Sequence, residues 1–366
     1  MPMAKKKSGV KKTFSLGGER IKPGERRDVN VLVSQRSSGA PVYAPAHVWR
    51  AEAPGPTLLV TGTVHGDEIN GAGIVRRLID TPTLSLESGT LVLVPVVNVL
   101  GFERNSRYMP DRRDLNRAFP GASEGSLSAR YAHAVFKEIV LRCDCCIDLH
   151  SAASQRTNYP NIRVDLHNDE AAKLARAFGC ELIINGRGPD GSFRQAACAA
   201  GVPTIILEAG EVSKIEPSVE ETGARGVRNA LIHLGMASGE PEAPPYQVMI
   251  QNTKWVRAAN GGVLRFHAGP GDVVDQGQPL ATNTDLLGRP LNVIESPEAG
   301  VLLGITTQPA VAPGCPVAHL AIPDGGVESI RKALKKAETP DGDAHHEMVK
   351  DHLSTSVVVE SIDERD

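Results

Sequence analysis

Between residues 57 and 211, short apolar runs alternate with longer segments of helical period. TLLVTGT (57–63) reads as a buried strand. In INGAGIVRRLID the apolar residues Ile69, Ala72, Ile74, Val75, Leu78 and Ile79 recur close to helical spacing. TLVLVPVV (90–97), rich in β-branched residues, predicts a second strand, and SLSARYAHAVFKEIVLRC (126–143) a helix capped by Ser126. CCIDLH and IRVDL read as strands, and NDEAAKLARAFG as a helix stopped at Gly179. The strand LIIN, the helix FRQAACAAG and the strand TIILEAGE complete the pattern. Such alternation predicts an α/β domain with a largely parallel sheet and helices on both faces, which binds ligands beyond the carboxyl ends of its strands. Upstream, VNVLVSQ and PVYAPAHVWR predict a leading hairpin.

The rhythm changes after the Pro-rich EPEAPPY (240–246). Short β segments punctuated by Gly and Pro predict a small β-barrel or sandwich over 246–323. The division expected is a flexible tail over 1–27, an α/β domain over 28–239, the β domain over 246–323 and a charged C-terminal tail over 324–366, helical only at VESIRKALKKAE. His345 and His346 fall in that tail and are expected in solvent.

Composition narrows the function classes. At 366 residues, 41% hydrophobic and 23% charged, the chain has the make-up of an ordinary globule with room for about two cores. A formal net charge of -3 and 4% aromatics argue against nucleic acid as a partner, and no apolar run approaches a membrane span. The basic opening MPMAKKKSGVKK is followed by no apolar core, so a reduced, cytoplasmic setting is expected for the six cysteines. The crowded Cys143, Cys145 and Cys146 read as small buried hydrophobes ahead of a core strand.

Polar residues cluster where the strands end. His65 and Glu68 lie three apart in the turn after the first α/β strand. Alone they are compatible with a solvated turn, and Asp148 with His150 is compatible with a self-satisfied strand pair. Together they match a His₂Glu metal site, which needs two neutral imidazoles, one carboxylate and an open position for water. Asp148, two residues before His150 on a strand, points to the same side and can hold that imidazole by its second nitrogen. SRYMPDRRDLNRAFPG sets Arg107, Arg112, Arg113 and Arg117 around Asn116, either as a salt-bridged surface loop with Asp111 and Asp114 or as an anion clamp. LEAGE places Glu208 at a strand end, where a carboxylate beside a metal-activated water can serve as general base.

The motifs HGDE, RRDLNR, DLH and LEAG, in this order over roughly 57–237, resemble the succinylglutamate desuccinylase/aspartoacylase family, relatives of the zinc carboxypeptidases. The resemblance implies a carboxypeptidase-like mixed sheet flanked by helices, with one zinc ion per subunit held by His65, Glu68 and His150. It implies Glu208 as the catalytic carboxylate, Arg107 as the group that polarises the scissile carbonyl, and Asn116 and Arg117 as the pair that holds a substrate carboxylate. Arg194 in SFRQAA matches a further substrate-contacting arginine. The segment between Arg107 and Asn116 is longer than in aspartoacylase itself, and no late-chain tyrosine matches the one used there. The stretch GDVVDQGQPLA resembles biotinyl/lipoyl folds, but LNVIESPEAG offers no lysine for a carrier role, so a wall or lid over the site is expected instead.

The implied activity is hydrolysis of a small N-acyl substrate, an N-acyl amino acid deacylase type of amide cleavage. A metallocarboxypeptidase acting on peptides, or a non-catalytic binding protein of the same fold, are the alternatives. The partner expected is a small-molecule N-acyl substrate, and assembly into a homo-oligomer is compatible with the sequence.

Overall fold

The computed structural model describes residues 13–81, 84–337 and 344–354. A small hairpin of β1 (Phe14–Leu16) and β2 (Glu19–Ile21) leads into the long strands β3 (Arg26–Gln35) and β4 (Pro41–Arg50). The α/β region runs through β5 (Ala53–Gly62), α1 (Asn70–Asp80), β6 (Ser88–Val94), α2 (Val99–Phe102), α3 (Leu127–Glu138) and β7 (Cys145–His150). It continues with β8 (Arg156–Val164), α4 (Asp169–Phe178), β9 (Leu182–Asn185), α5 (Phe193–Ala199), β10 (Thr204–Gly210) and α6 (Pro217–His233). The β-rich region comprises β11 (Val248–Arg257), β12 (Gly262–Phe266), β13 (Val273–Val274), β14 (Pro279–Thr284), β15 (Pro290–Glu295), β16 (Gly300–Thr306), β17 (Ala310–Val311) and β18 (Pro316–Pro323). Helices α7 (Glu328–Ala337) and α8 (Ala344–Ser354) follow. None of the described helices is long and apolar enough to cross a membrane.

The sheet is mixed. Its central strands β6, β5, β7 and β10 are mutually parallel, while β3, β4 and β8 join antiparallel. Successive side chains of a strand face opposite ways, so Leu58 and Val60 enter one core with α1, α4 and α6, and Leu59 enters the other with α3 and α5. Cys143 and Cys146 are buried in the second core and Cys145 in the first, as small hydrophobes. Ser126 caps α3 by accepting from the Ala129 amide, and Gly179 ends α4 at φ 88°, a left-handed position suited to glycine.

The sheet does not stop at the end of the α/β domain. Strand β9 pairs with β11, β11 with β18, β18 with β16, and β16 returns to pair with β8, which itself pairs with β9. These five strands close into a small barrel shared by the α/β region and the β-rich region. A separate four-stranded sheet, in the order β15-β14-β12-β17, covers a third core around Leu264, Phe266, Leu280 and Val317.

Two segments depart from expectation. The 1–27 stretch was expected to be a tail, but its residues 13–27 are structured: Phe14, Leu16 and Ile21 are buried in the core beside β3 and α3. Three apolar residues in a charged stretch are too few to show a period, so the signal is tertiary. Residues 1–12 lie outside the described residues. In the C-terminal stretch α7 forms as expected, but α8 forms as well and docks its Val349 and Leu353 into the first core. His346, expected in solvent, is buried: its Nδ1 lies 2.8 Å from both Glu181 Oε1 and Tyr159 Oη, and Tyr159 also hydrogen-bonds Glu181. Residues 355–366 lie outside the described residues.

Burial works against charge on His346, but Glu181 outweighs it and leaves the pKa above the ordinary value. A raised imidazole pKa contributes stability below the unfolded value of 6.5 and loses it as pH climbs through the folded value. Denaturant unfolding of wild type should therefore show a stability excess over His346→Gln that is largest at pH 6 and shrinks above it. An excess that grows with pH would contradict the ion pair.

Candidate metal centre and its surroundings

Three parallel strands bring the chemistry together. Register places Thr61 of β5 opposite Asp148 of β7, and His150 of β7 opposite Glu208 of β10. His65 lies in the turn that follows β5. That turn is tight because its glycines are pressed by backbone: a Cβ on Gly66 would lie 2.1 Å from the Gly101 carbonyl carbon, and one on Gly62 2.7 Å from that of Gly71. Thr63, a buried β-branched residue, takes φ 57°. Such a conformation costs roughly 1–3 kcal/mol and persists only where surrounding contacts impose it.

His65, Glu68 and His150 are all buried and offer ligand atoms within 4.8 Å of one another. His65 Nδ1 lies 2.5 Å from Glu68 Oε1 and His150 Nδ1 lies 2.8 Å from Glu68 Oε2. Behind them stand two more carboxylates. Asp148 Oδ2 is 2.8 Å from His150 Nε2 and is itself held by Thr61, whose hydroxyl donates to Oδ1 at 2.7 Å. Asp114 Oδ1 is 3.2 Å from His65 Nε2, within ion-pair distance.

This arrangement requires positive charge at its centre. Asp148 accepts only, so it fixes the His150 proton on Nε2 and leaves the Nδ1 lone pair facing Glu68. A lone pair opposed to a carboxylate is repulsive unless a proton or a cation stands between them. Burial pulls both imidazole pKa values down, yet the carboxylates outweigh it and hold them above the ordinary value. Burial opposes ionisation of Glu68 in turn, but His65 and His150 hold it well below the usual carboxylate range. Two nitrogens and a carboxylate, each backed by its own partner, fit a divalent metal ion.

The other residues expected at the site lie around this set. Arg107 Nη1 reaches Glu68 Oε1 at 3.1 Å, and its Nη2 reaches Asp114 Oδ2 at 3.0 Å. Asn116 uses its Oδ1 to cap α5, accepting from Phe193 N at 2.8 Å. Arg117 is exposed and donates to the Asn116 carbonyl at 2.7 Å. Next to Phe193, Arg194 is 5% exposed, and its Nε and Nη1 have no hydrogen-bond partner. Burial lowers its pKa to about 10, so it remains a cation near neutral pH. A buried guanidinium with two bare nitrogens is costly unless a ligand meets them. Glu208 accepts from Asn158 Nδ2 at 3.2 Å and faces Arg163 Nε at 3.6 Å.

Several residues of this neighbourhood carry no local signal in the sequence. Asn70, the first residue of α1, donates to Ser151 Oγ, the Glu211 carbonyl and Glu216 Oε2, and accepts from Glu216 N. It thereby ties together the segments that follow β5, β7 and β10. Asp114 appeared only as part of a charged loop, although its carboxylate stands between His65 and Arg107. From the β-rich region, His319 stacks on Trp255 at 4.1 Å between ring centroids, with its Nε2 buried and unpartnered. Burial, helped by Arg163 and Arg156, lowers its pKa to about 4, so the ring is neutral. Only the fold brings His319 into the field of Arg163, the residue that faces Glu208.

Residues 54–234 match the model of the succinylglutamate desuccinylase/aspartoacylase catalytic domain. The chain is 29% identical over 244 residues to an N-alpha-acetyl-L-2,4-diaminobutyric acid deacetylase from Halomonas elongata, covering 63% of this chain and 71% of that protein. Its fold is similar to that of a succinylglutamate desuccinylase/aspartoacylase from Rhodobacter sphaeroides, with a TM-score of 0.69 at 24% identity over 82% of this chain and 95% of the other. An aspartoacylase family protein from Mesorhizobium loti gives 0.69 at 25% identity, over 82% and 96% of the two chains. The product-bound ectoine utilization protein EutE (DoeB) from Ruegeria pomeroyi gives 0.69 at 24%, over 81% and 94%. Residues 54–234 thus form a domain of the succinylglutamate desuccinylase/aspartoacylase catalytic type.

If Asp148 orients His150 for a metal, Asp148→Asn should weaken metal affinity about 10–100-fold while the protein remains folded. Competition with a chelator of known affinity checks this, and unchanged affinity would remove Asp148 from the metal's support.

Proposed function

We propose that this protein, which carries a domain of the succinylglutamate desuccinylase/aspartoacylase catalytic type, is a zinc-dependent amidohydrolase that removes an acyl group from a small carboxylate-bearing amide of the N-acyl amino acid type. The observation that carries the reading is the buried meeting of His65 Nδ1 and His150 Nδ1 at one Glu68 carboxylate, with Glu208 in register beside His150. His₂Glu is a donor set suited to zinc with an open coordination position. Held there, zinc would acidify water toward about pH 7 and polarise an amide carbonyl.

Glu208 is the group placed to move protons. Its carboxylate accepts one from the attacking water and passes it to the nitrogen of the leaving amine. Arg107 supplies positive charge toward the carbonyl oxygen as it becomes anionic; a single such donor is typically worth about 3–4 kcal/mol. Asp114 fixes the guanidinium by its other end. Arg194, with Asn116 and Arg117, takes a carboxylate of the substrate; its buried guanidinium keeps Nε and Nη1 without a protein partner, and a carboxylate is the anion that a guanidinium holds best. Strand β16 pairs with β8 where Asn158 meets Glu208, which supports a role for the β-rich region as a wall of the site.

The products are a carboxylic acid and a free amino compound. The Halomonas elongata relative, named as a deacetylase of an N-acetylated diamino acid, supports this class of reaction.

The test is Glu208→Gln assayed on N-acetyl and N-succinyl amino acids. The variant should bind zinc at wild-type stoichiometry and lose about 10²–10⁴-fold in kcat. Undiminished turnover would remove Glu208 from the mechanism. In His65→Ala the metal itself should be lost, and zinc retained at full stoichiometry would contradict the ligand set.

A further inference from the structure

The barrel closure suggests a purpose for the β-rich region, which offers no modifiable lysine on the hairpin where a carrier domain would present one. Strand β16 reaches the catalytic region by pairing with β8, and the pairing sets Gly304 opposite Asn158. Asn158 is 8% exposed. Its amide can face Glu208 in only one way. The Glu208 carboxylate accepts, so Nδ2 must be the group that reaches Oε2 at 3.2 Å, and Oδ1 is turned toward Gly304. Room for that oxygen exists because residue 304 has no side chain: a Cβ there would lie 2.6 Å from Asn158 Oδ1.

The backbone of Glu208 is held from the same strand. Asn161 Nδ2 donates to the Glu208 carbonyl at 3.2 Å, where the pairing of β8 with β10 slips between Glu208 and Gly210. Arg163, also on β8, stands 3.6 Å from the other carboxylate oxygen, Oε1. An unrestrained Glu208 would be drawn toward that guanidinium. The Asn158 hydrogen bond opposes the pull by fixing Oε2.

We propose that Asn158, seated against Gly304 of the β-rich region, is the positioning residue that aims the Glu208 carboxylate. The inference rests on Glu208 acting as general base. It gives the β-rich region a task in the reaction, because the strand that closes the barrel also forms the seat of the residue that orients the base. Misplacement of a reacting group by about 1 Å can cost on the order of 10²-fold in rate with substrate binding intact. A positioning role therefore predicts a loss in kcat and not in KM.

The experiment uses the full-length, zinc-loaded protein and the N-acetyl amino acid that wild type hydrolyses fastest. Asn158→Ala and the near-isosteric Asn158→Leu are compared for kcat, KM, zinc content and melting temperature. The expected result is a kcat lower by about 10–100-fold, with KM within about 3-fold and zinc unchanged. In a Glu208→Gln background the same substitutions should cost less than about 3-fold more, since there is no longer a base to aim. The inference is overturned if both variants keep wild-type kcat, if the loss appears in KM, if it follows zinc content or melting temperature, or if it persists in full on top of Glu208→Gln. A fully active Glu208→Gln would instead overturn the general-base reading itself, whatever Asn158 does.

Discussion

Two imidazoles share one buried carboxylate, and that sharing sets the terms for the rest of the site. His65 and His150 each present Nδ1 to a different oxygen of Glu68, and Asp114 and Asp148 stand beyond them. Three carboxylates around two buried rings cannot be stable without compensating positive charge. The protein supplies part of it through Arg107, which spans Glu68 and Asp114. The remainder must come from protons on the rings or from a metal, and the proton that Asp148 holds on His150 Nε2 leaves the inner nitrogen as a ligand. The site is built to attract a cation.

The backbone meets this requirement by converging strand ends. Parallel β5, β7 and β10 end side by side, so residues 65, 150 and 208 arrive at one edge from distant parts of the chain. Close approach there is possible because Gly62 and Gly71 let α1 lie against β5, and Gly66 lets the turn that carries His65 lie against α2. Asn70 then stitches the loops. The β-rich region is continuous with this frame through the five-stranded closure. The surroundings of Glu208 are consequently made by strands from both halves of the chain.

The sequence revealed what repeats or what clusters. Helical and strand periods located α1, α3 and α4 and strands β3 to β7 within a few residues, because each buries a regular apolar face. Motif spacing pointed to His65, Glu68, His150 and Asp148, whose side chains the fold does bring together. What stayed hidden depends on single long-range contacts. The β1–β2 hairpin is held by three isolated apolar residues, and α8 by His346 on Glu181, which is 165 positions away. Asp114 looked like one charge among many until His65 was placed beside it. Asn158 and Gly304 are ordinary strand residues whose significance exists only in the pairing of β8 with β16. Element alternation alone predicts a largely parallel sheet, the family resemblance implies the mixed sheet that is found, and antiparallel β8 is the strand that pairs with β16.

The account turns on one metal ion held by three side chains, and anomalous diffraction from crystals of the purified protein at the zinc absorption edge tests it most directly. A single strong peak about 2.0–2.2 Å from His65 Nδ1, His150 Nδ1 and a Glu68 oxygen is the result expected. Crystals of zinc-supplemented protein with no anomalous peak at this position, or with zinc bound only elsewhere on the molecule, would contradict it.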